Sequence, residues 1–367
     1  MSGSGLYYRP VSSSSSHRPD LSIVIAAYGM ARELPRTVHS LSRRYQTGVE
    51  GLDYQIVVVD NGSPVPVDVG SIEAIGQEVR VVRMEGLGVS PATAINRAVA
   101  GTSGSHVGVV LDGARMVTPG VLALARAALD LDDRALVTTL AWHLGPDHQI
   151  RSRLTGYSAA VEDQLLQSIG WPEDGYRLFE IAALASPNEQ GWFGPVNESC
   201  CTFLSRESFD SLGGYDESFV SPGGGFVNLD FFHRASQRAG SDTIILLGEG
   251  SFHQIHGGVA SNAEDPDGWK VFAAEYEAIR GCAFSDPELR PVYFGRLPPA
   301  AKRWLMEEDR STPDEPGMMQ ASAAAEERLI ASRDSAVASL NQIRSSRSWR
   351  LTEPFRNLSR LARRKLG

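Results

Sequence analysis

Cysteine is scarce: the 367 residues contain Cys200, Cys201 and Cys282 and no others. An odd count with two adjacent members provides neither a disulfide framework nor the paired spacing of a structural zinc site. That pattern predicts a reducing, cytoplasmic setting. Long apolar runs are also missing. No stretch approaches the eighteen or so uninterrupted apolar residues that a membrane-crossing helix needs, so none is expected. Positive charge is in deficit overall, with a formal net charge of −9. A surface of that sign repels phosphate backbones and excludes nucleic acid as the partner. Glycine-rich phosphate loops are absent too. The first strand-like segment is followed by AAYGMARELP, which fits neither the dinucleotide fingerprint nor the P-loop.

What is present is an alternation of strand and helix patterns. Leu21 to Ala27 (LSIVIAA) is a short β-branched run suited to a strand buried on both faces. Leu34, Val38, Leu41 and Tyr45 then recur at helical spacing, with Pro35 in the first turn. Strands are expected at Tyr54–Val59, Val79–Val82, His106–Leu111, Ala135–Leu140 and Thr243–Leu247. Helices are expected at Pro91–Ala100, Val121–Leu131, Ser158–Ile169 and Leu229–Arg238. The βαβ order predicts an α/β fold with a mostly parallel central sheet flanked by helices. Ligands of such sheets bind outside the carboxyl ends of the strands. Asp60 and Asp112 stand at two of those ends. A strand-end carboxylate can accept from a nucleobase imide or a ribose hydroxyl; it can equally cap the turn that follows.

Several segments in series carry a family resemblance: SIVIAAYG, YQIVVVDNGS, GVSPATAINRAVAGTSGSHVGVVLDGA and LGGYDESF. Together they resemble family-2-type glycosyltransferases of the GT-A fold, over roughly Leu21 to Asn262. The resemblance implies a nucleotide-sugar donor. It places Ala27, Tyr28 and Asp60 at the nucleobase, with Asn96 in the donor half and Asp112 at the ribose and diphosphate. It also implies a divalent cation, Mn²⁺ or Mg²⁺, to offset leaving-group charge. The usual second carboxylate of the DxD motif is missing, because the position reads Asp112-Gly113-Ala114; Arg115 next to it could supply charge instead. His253 and His256, in GEGSFHQIHGG, are the remaining expected metal ligands beside Asp112. The family takes its base for inverting transfer from an acidic pair at the start of the acceptor-side helix. Here Val227 and Asn228 occupy that place, which leaves Asp230 as the expected base and Asn228 and Glu198 as acceptor contacts. Asp216 and Glu217 are weaker candidates, since GGYDESF also reads as a structural turn. Trp142, Trp171 and Trp192 can serve as a sugar platform or as core.

The expected organisation is a disordered leader over 1–20 and a GT-A domain over 21–285, divided at 140/141 into nucleotide-binding and acceptor halves. A proline-rich wrap or linker over 286–318 and a helical, basic amphipathic tail over 319–367 complete it. From Arg344 onward eight basic residues face the single acid Glu353, with Trp349, Phe355, Leu358, Leu361 and Leu366 able to share one helix face. That pattern predicts peripheral binding to a membrane surface or docking on a partner. The ending SRSWRLTEPFR also resembles tails of bacterial surface-polysaccharide glycosyltransferases. The sequence therefore reads as a glycosyltransferase acting on a saccharide, lipid-linked or glycoprotein acceptor at the inner face of the cell membrane. The alternative is an attenuated GT-A-like subunit that binds nucleotide-sugar or glycan without turnover. Neither the donor sugar nor the oligomeric state is legible.

Overall fold

The computed structural model describes residues 18–196, 200–238, 242–257 and 268–305. The expected leader before residue 18, Glu198, and everything beyond residue 305, including the basic tail, lie outside the described residues.

The elements run β1 (Leu21–Ala27), α1 (Leu34–Leu41), β2 (Tyr54–Asp60), α2 (Val69–Glu73), β3 (Val79–Arg83), α3 (Ala92–Ala100), β4 (His106–Val110) and β5 (Arg115–Val117). They continue with α4 (Val121–Leu131), β6 (Leu136–Leu144), α5 (Gln149–Leu154), α6 (Ala159–Ser168), β7 (Ala182–Leu184), β8 (Cys201–Ser205) and α7 (Arg206–Ser211). Then come α8 (Val227–Ser236), β9 (Thr243–His253), α9 (Gly268–Arg280) and β10 (Val292–Gly295). All join one sheet in the order β10-β9-β6-β8-β4-β1-β2-β3, with β5 added to β9 and β7 to β6. Along that path only β8 runs against its neighbours, pairing antiparallel with both β4 and β6. The expected α/β class with a mostly parallel sheet is what the chain forms.

The period of two in β1 explains the two-sided core. Val24 and Ala26 face the layer that contains Ala94, Ile95 and Ala98 of α3, together with Phe231 and Phe232 of α8. Leu21, Ile23, Ile25 and Ala27 face the opposite layer, with Leu34, Val38 and Leu41 of α1 and Leu122, Ala125 and Leu129 of α4. Successive side chains on a strand point to opposite faces, so an all-apolar strand needs helices on both.

Three expectations sharpen. The strand foreseen at Thr243–Leu247 continues to His253, because its second half pairs with both β5 and β6. Of the stretch expected as a wrap or linker, the described residues pack onto the fold as a wrap: β10 extends the sheet edge, and Trp192 Nε1 donates to Ala301 O at 3.0 Å. Trp142 and Trp192 are fully buried against each other and Phe179, so they are core and not a sugar platform. α9 was not among the expected helices, although Phe272, Tyr276 and Ile279 recur at helical spacing on its core side.

Candidate active site

The carboxyl ends of β1, β2 and β4 form one rim, because β1 pairs in parallel register with β2 on one side and β4 on the other. Beyond β4 the chain turns through Leu111-Asp112-Gly113-Ala114 and returns as β5. The Ala114 N–H donates to Asp112 Oδ1 at 2.8 Å and closes that turn. Gly113 sits close against β1 there. A Cβ at this position would sit 3.2 Å from Ala26 O, the Ala27 Cβ and the Met30 Sδ.

β5 pairs antiparallel with the end of β9, opposing Arg115 to His253. This pairing brings together residues 141 positions apart: His253 Nε2 lies 3.0 Å from Asp112 Oδ2. His256 Nε2 lies 3.2 Å from the same oxygen and 3.0 Å from His253 Nε2. The three expected metal ligands thus converge, their ligand atoms all within 4.8 Å of one another. Mutual separations of 3.0 to 3.2 Å match one face of an octahedral shell with bonds of about 2.1 Å. Two imidazoles and a carboxylate form a donor set for a transition metal such as Mn²⁺ more than for Mg²⁺, which prefers oxygen. The residues fit the implied cation.

The electrostatics point the same way. Burial opposes ionisation of Asp112, yet the neighbouring imidazoles of His256 and His253 outweigh it and hold its carboxyl well below the usual range. Burial pushes His253 down to about 4, against the pull of Asp112. Burial also works against a charged His256, but there the Asp112 carboxylate prevails and raises it. Arg115 is buried beside this cluster, opposite His253, and its charge helps to depress that imidazole. His143, absent from the sequence expectations, pairs in register with His253 on the other side, their ring centroids 5.4 Å apart. Burial, then the His253, His148 and Arg115 charges, keep it neutral. His143 lies three residues beyond the strand expected at Ala135–Leu140, which β6 extends to Leu144, so no sequence signal marked it.

On the nucleotide side, Ala27 is buried at the end of β1 while Tyr28, the next residue, is half exposed at the rim. Asp60 is corrected. Both of its oxygens are occupied, Oδ1 by the Ser63 N–H (2.8 Å) and Oδ2 by the Val67 N–H (3.2 Å) and Arg83 Nη1 (2.6 Å). Only 1% exposed, the carboxylate locks its own turn. It acts on the rim indirectly, since Ser63 Oγ accepts the Gly29 N–H at 2.9 Å.

Asn96 is engaged as well. Its amide donates to Tyr215 O (2.8 Å) and to Glu217 Oε1 (3.0 Å), and its oxygen accepts the Tyr215 N–H (2.9 Å). The side chain is spent on fastening α3 to the Gly213–Ser218 turn. Glu217 also accepts from Thr93 Oγ1 at 2.9 Å, which gives it the same fastening duty.

Asp230, the expected base, stands in a dense ion-pair network. It is 1% exposed and gripped by two guanidinium groups. Arg234 Nε donates at 2.8 Å, and Arg280 donates through Nε at 2.6 Å and Nη2 at 2.8 Å. Arg280 also holds Asp216 at 2.7 Å. A carboxylate so occupied ties α9 and the Gly213–Ser218 turn to α8. Asn228 is buried, its amide nitrogen 3.5 Å from Cys200 Sγ, and Cys200 O accepts the Leu111 N–H beside Asp112. It stands near the site but presents no open face.

Comparison with known proteins agrees with this picture. The profile described as Glycosyl transferase family 2 matches residues 22–213, just over half of the chain. A curated relative, the validoxylamine A glucosyltransferase of Streptomyces hygroscopicus subsp. jinggangensis (strain 5008), is 27% identical over 240 residues. The match covers 59% of this chain and 51% of that protein, so the chain spans about half the relative's length. Among solved structures, S. aureus TarS 1-349 in complex with UDP aligns with a TM-score of 0.42 at 13% identity, covering 70% of this chain and 65% of that one. A second S. aureus TarS structure gives 0.41 at 13% identity, covering 70% and 40%. With the rim, the Asp112 turn and the α3 motif all inside the matched span, the chain belongs to glycosyl transferase family 2.

Proposed function

We propose that this chain transfers a hexose, with inversion, from a nucleoside diphosphate sugar to a saccharide, lipid-linked or glycoprotein acceptor. The observation that carries the reading is the convergence of Asp112, His253 and His256 beside the end of β1. Family membership supports the reaction class, and a relative named as a glucosyltransferase supports the hexosyl donor. A divalent cation held by Asp112, His253 and His256 would offset the negative charge that grows on the departing diphosphate. Tyr28 offers an open ring at the rim for stacking on a base. The turn locked by Asp60 holds the Tyr28-Gly29 backbone in place through Ser63. Arg115 sets a buried positive charge beside Asp112 and opposite His253.

The test is a thermal-shift panel of uridine, guanosine, thymidine and cytidine diphosphates and their sugars, each with Mn²⁺ or Mg²⁺. A ligand present at about 100 times its Kd adds about 2.7 kcal/mol to the folded state. A shift with a nucleoside diphosphate that grows with Mn²⁺ is expected; no shift with any combination refutes the proposal.

A second reading, a subunit that binds donor or glycan without turnover, has its own observation. Asn228 stands where the family places a carboxylate, and Asp230 is locked in ion pairs. Donor binding with no nucleotide release in the presence of varied acceptors selects this reading. The basic amphipathic segment 344–367 further supports attachment to anionic membrane. Its deletion is expected to abolish co-sedimentation with phosphatidylserine vesicles, and unchanged sedimentation refutes the attachment.

A further inference from the structure

Of the three residues that face the cation position, His256 is held by neither a side-chain-closed turn nor a strand ladder. Asp112 is fixed by its own turn, and His253 by the ladder between β5 and β6. His256 comes after β9 has ended. The residues that carry it there are pinned from outside. The Gln254 N–H donates to Ala114 O at 2.8 Å, and its side-chain amide donates to Glu33 O at 3.1 Å. The Ile255 N–H donates to Glu162 Oε2 at 2.7 Å, and Ile255 O accepts from Arg32 Nη1 at 3.2 Å.

Glu162 belongs to α6, far away in sequence, and is fully buried. It also accepts from Tyr157 OH at 3.0 Å and from Arg32 Nη2 at 3.1 Å. Arg32, in the segment between β1 and α1, spreads one guanidinium over two segments, the residues after β9 and helix α6. Besides Ile255 O and Glu162 it reaches Ala159 O at 3.0 Å and Asp163 at 2.7 Å. A buried carboxylate–guanidinium pair is a poor source of stability, because desolvation cancels most of the attraction; an apolar pair of equal volume does as well or better. What such a pair supplies is one defined arrangement. Here the backbone groups it fixes are both on the residue before His256.

Resting on the divalent-cation reading above, we propose that Glu162 and Arg32 are positioning residues for the cation site. They fix the Ile255 peptide so that the His256 imidazole meets Asp112 and His253. Neither residue touches the cation position. Because Arg32 lies four residues beyond Tyr28, the same clamp joins the rim segment to the metal-facing loop.

The test measures Mn²⁺ affinity by electron paramagnetic resonance of free Mn²⁺. It uses the full chain and the variants Asp112→Asn, Glu162→Leu, Glu162→Gln and Arg32→Met, each checked for folding by circular dichroism and metal-free melting. Outer-shell partners of metal ligands typically govern affinity by about 10–100-fold. Glu162→Leu is expected to weaken Mn²⁺ binding by about that factor. Glu162→Gln keeps an acceptor for the Ile255 N–H and is expected to recover most of the loss. A purely structural role would lower the melting temperature and leave the affinity of the folded fraction alone. If Glu162→Leu does not fold, Arg32→Met decides: a folded variant that binds Mn²⁺ as the parent does overturns the proposal. Parent-like affinity in folded Glu162→Leu overturns it equally. A parent chain that binds no Mn²⁺, with Asp112→Asn indistinguishable from it, fails the cation reading itself and this inference with it.

Discussion

Replacing Asp230 with Asn separates two roles that the sequence alone confuses. In the structure the carboxylate is 1% exposed and neutralises Arg234 and Arg280, whose side chains keep about a quarter of their surface in water. Breaking a fully buried ion pair by removing one partner costs about 3–5 kcal/mol. Both arginines retain other partners, Leu212 O and Gly214 O for Arg234 and Asp216 for Arg280, and both touch solvent. The loss is therefore reduced to about 2–3 kcal/mol. For a domain of this size each kcal/mol moves Tm by about 2–4 °C, so a fall of roughly 5–10 °C is expected. Turnover of the surviving folded enzyme, read as nucleotide released from the donor, should stay within a few-fold of the parent. A catalytic base behaves in the opposite way, costing about 10²–10⁴ in rate with little change in melting. Loss of rate on that scale, with Tm within about 1 °C of the parent, would refute the structural assignment.

Two further outcomes follow from the same geometry. Asp112 outweighs burial and raises His256, so in the metal-free protein that imidazole keeps its proton to higher pH than an ordinary histidine. Metal must displace the proton, so Mn²⁺ affinity should fall on acidification, with a limiting slope of about tenfold per pH unit; calorimetry showing a flat profile from pH 8 to 6 would contradict it. Gly113→Val would press a branched side chain onto Ala26 O, Ala27 and Met30. It is expected to lower stability by about 1–3 kcal/mol and to weaken nucleotide binding, both measurable in one melting series with and without ligand.

The parallel half of the sheet was legible because its strands carry local signals. LSIVIAA and YQIVVV are apolar on both faces, and only a strand covered by helices on both sides can use such a run. The helix over 121–131 declared itself by period in the same way. Asp112 and the two histidines were legible as separate letters whose meaning came from the family pattern. What the sequence could not declare is pairing. The three-residue strand Arg115–Val117 has no period to read, yet its antiparallel contact with the end of β9 sets His253 against Asp112. Asp230, Asp60 and Asn96 show the same limit from the other side. A carboxylate or amide in a motif looks free until the fold supplies Arg280, the Ser63 N–H or Tyr215 as its partner. The class of the fold was thus determined locally by hydrophobic period, whereas the occupation of each polar group was decided by long-range contacts. Hydrogen bonds and ion pairs act over about 3 Å, and only tertiary structure brings distant residues that close.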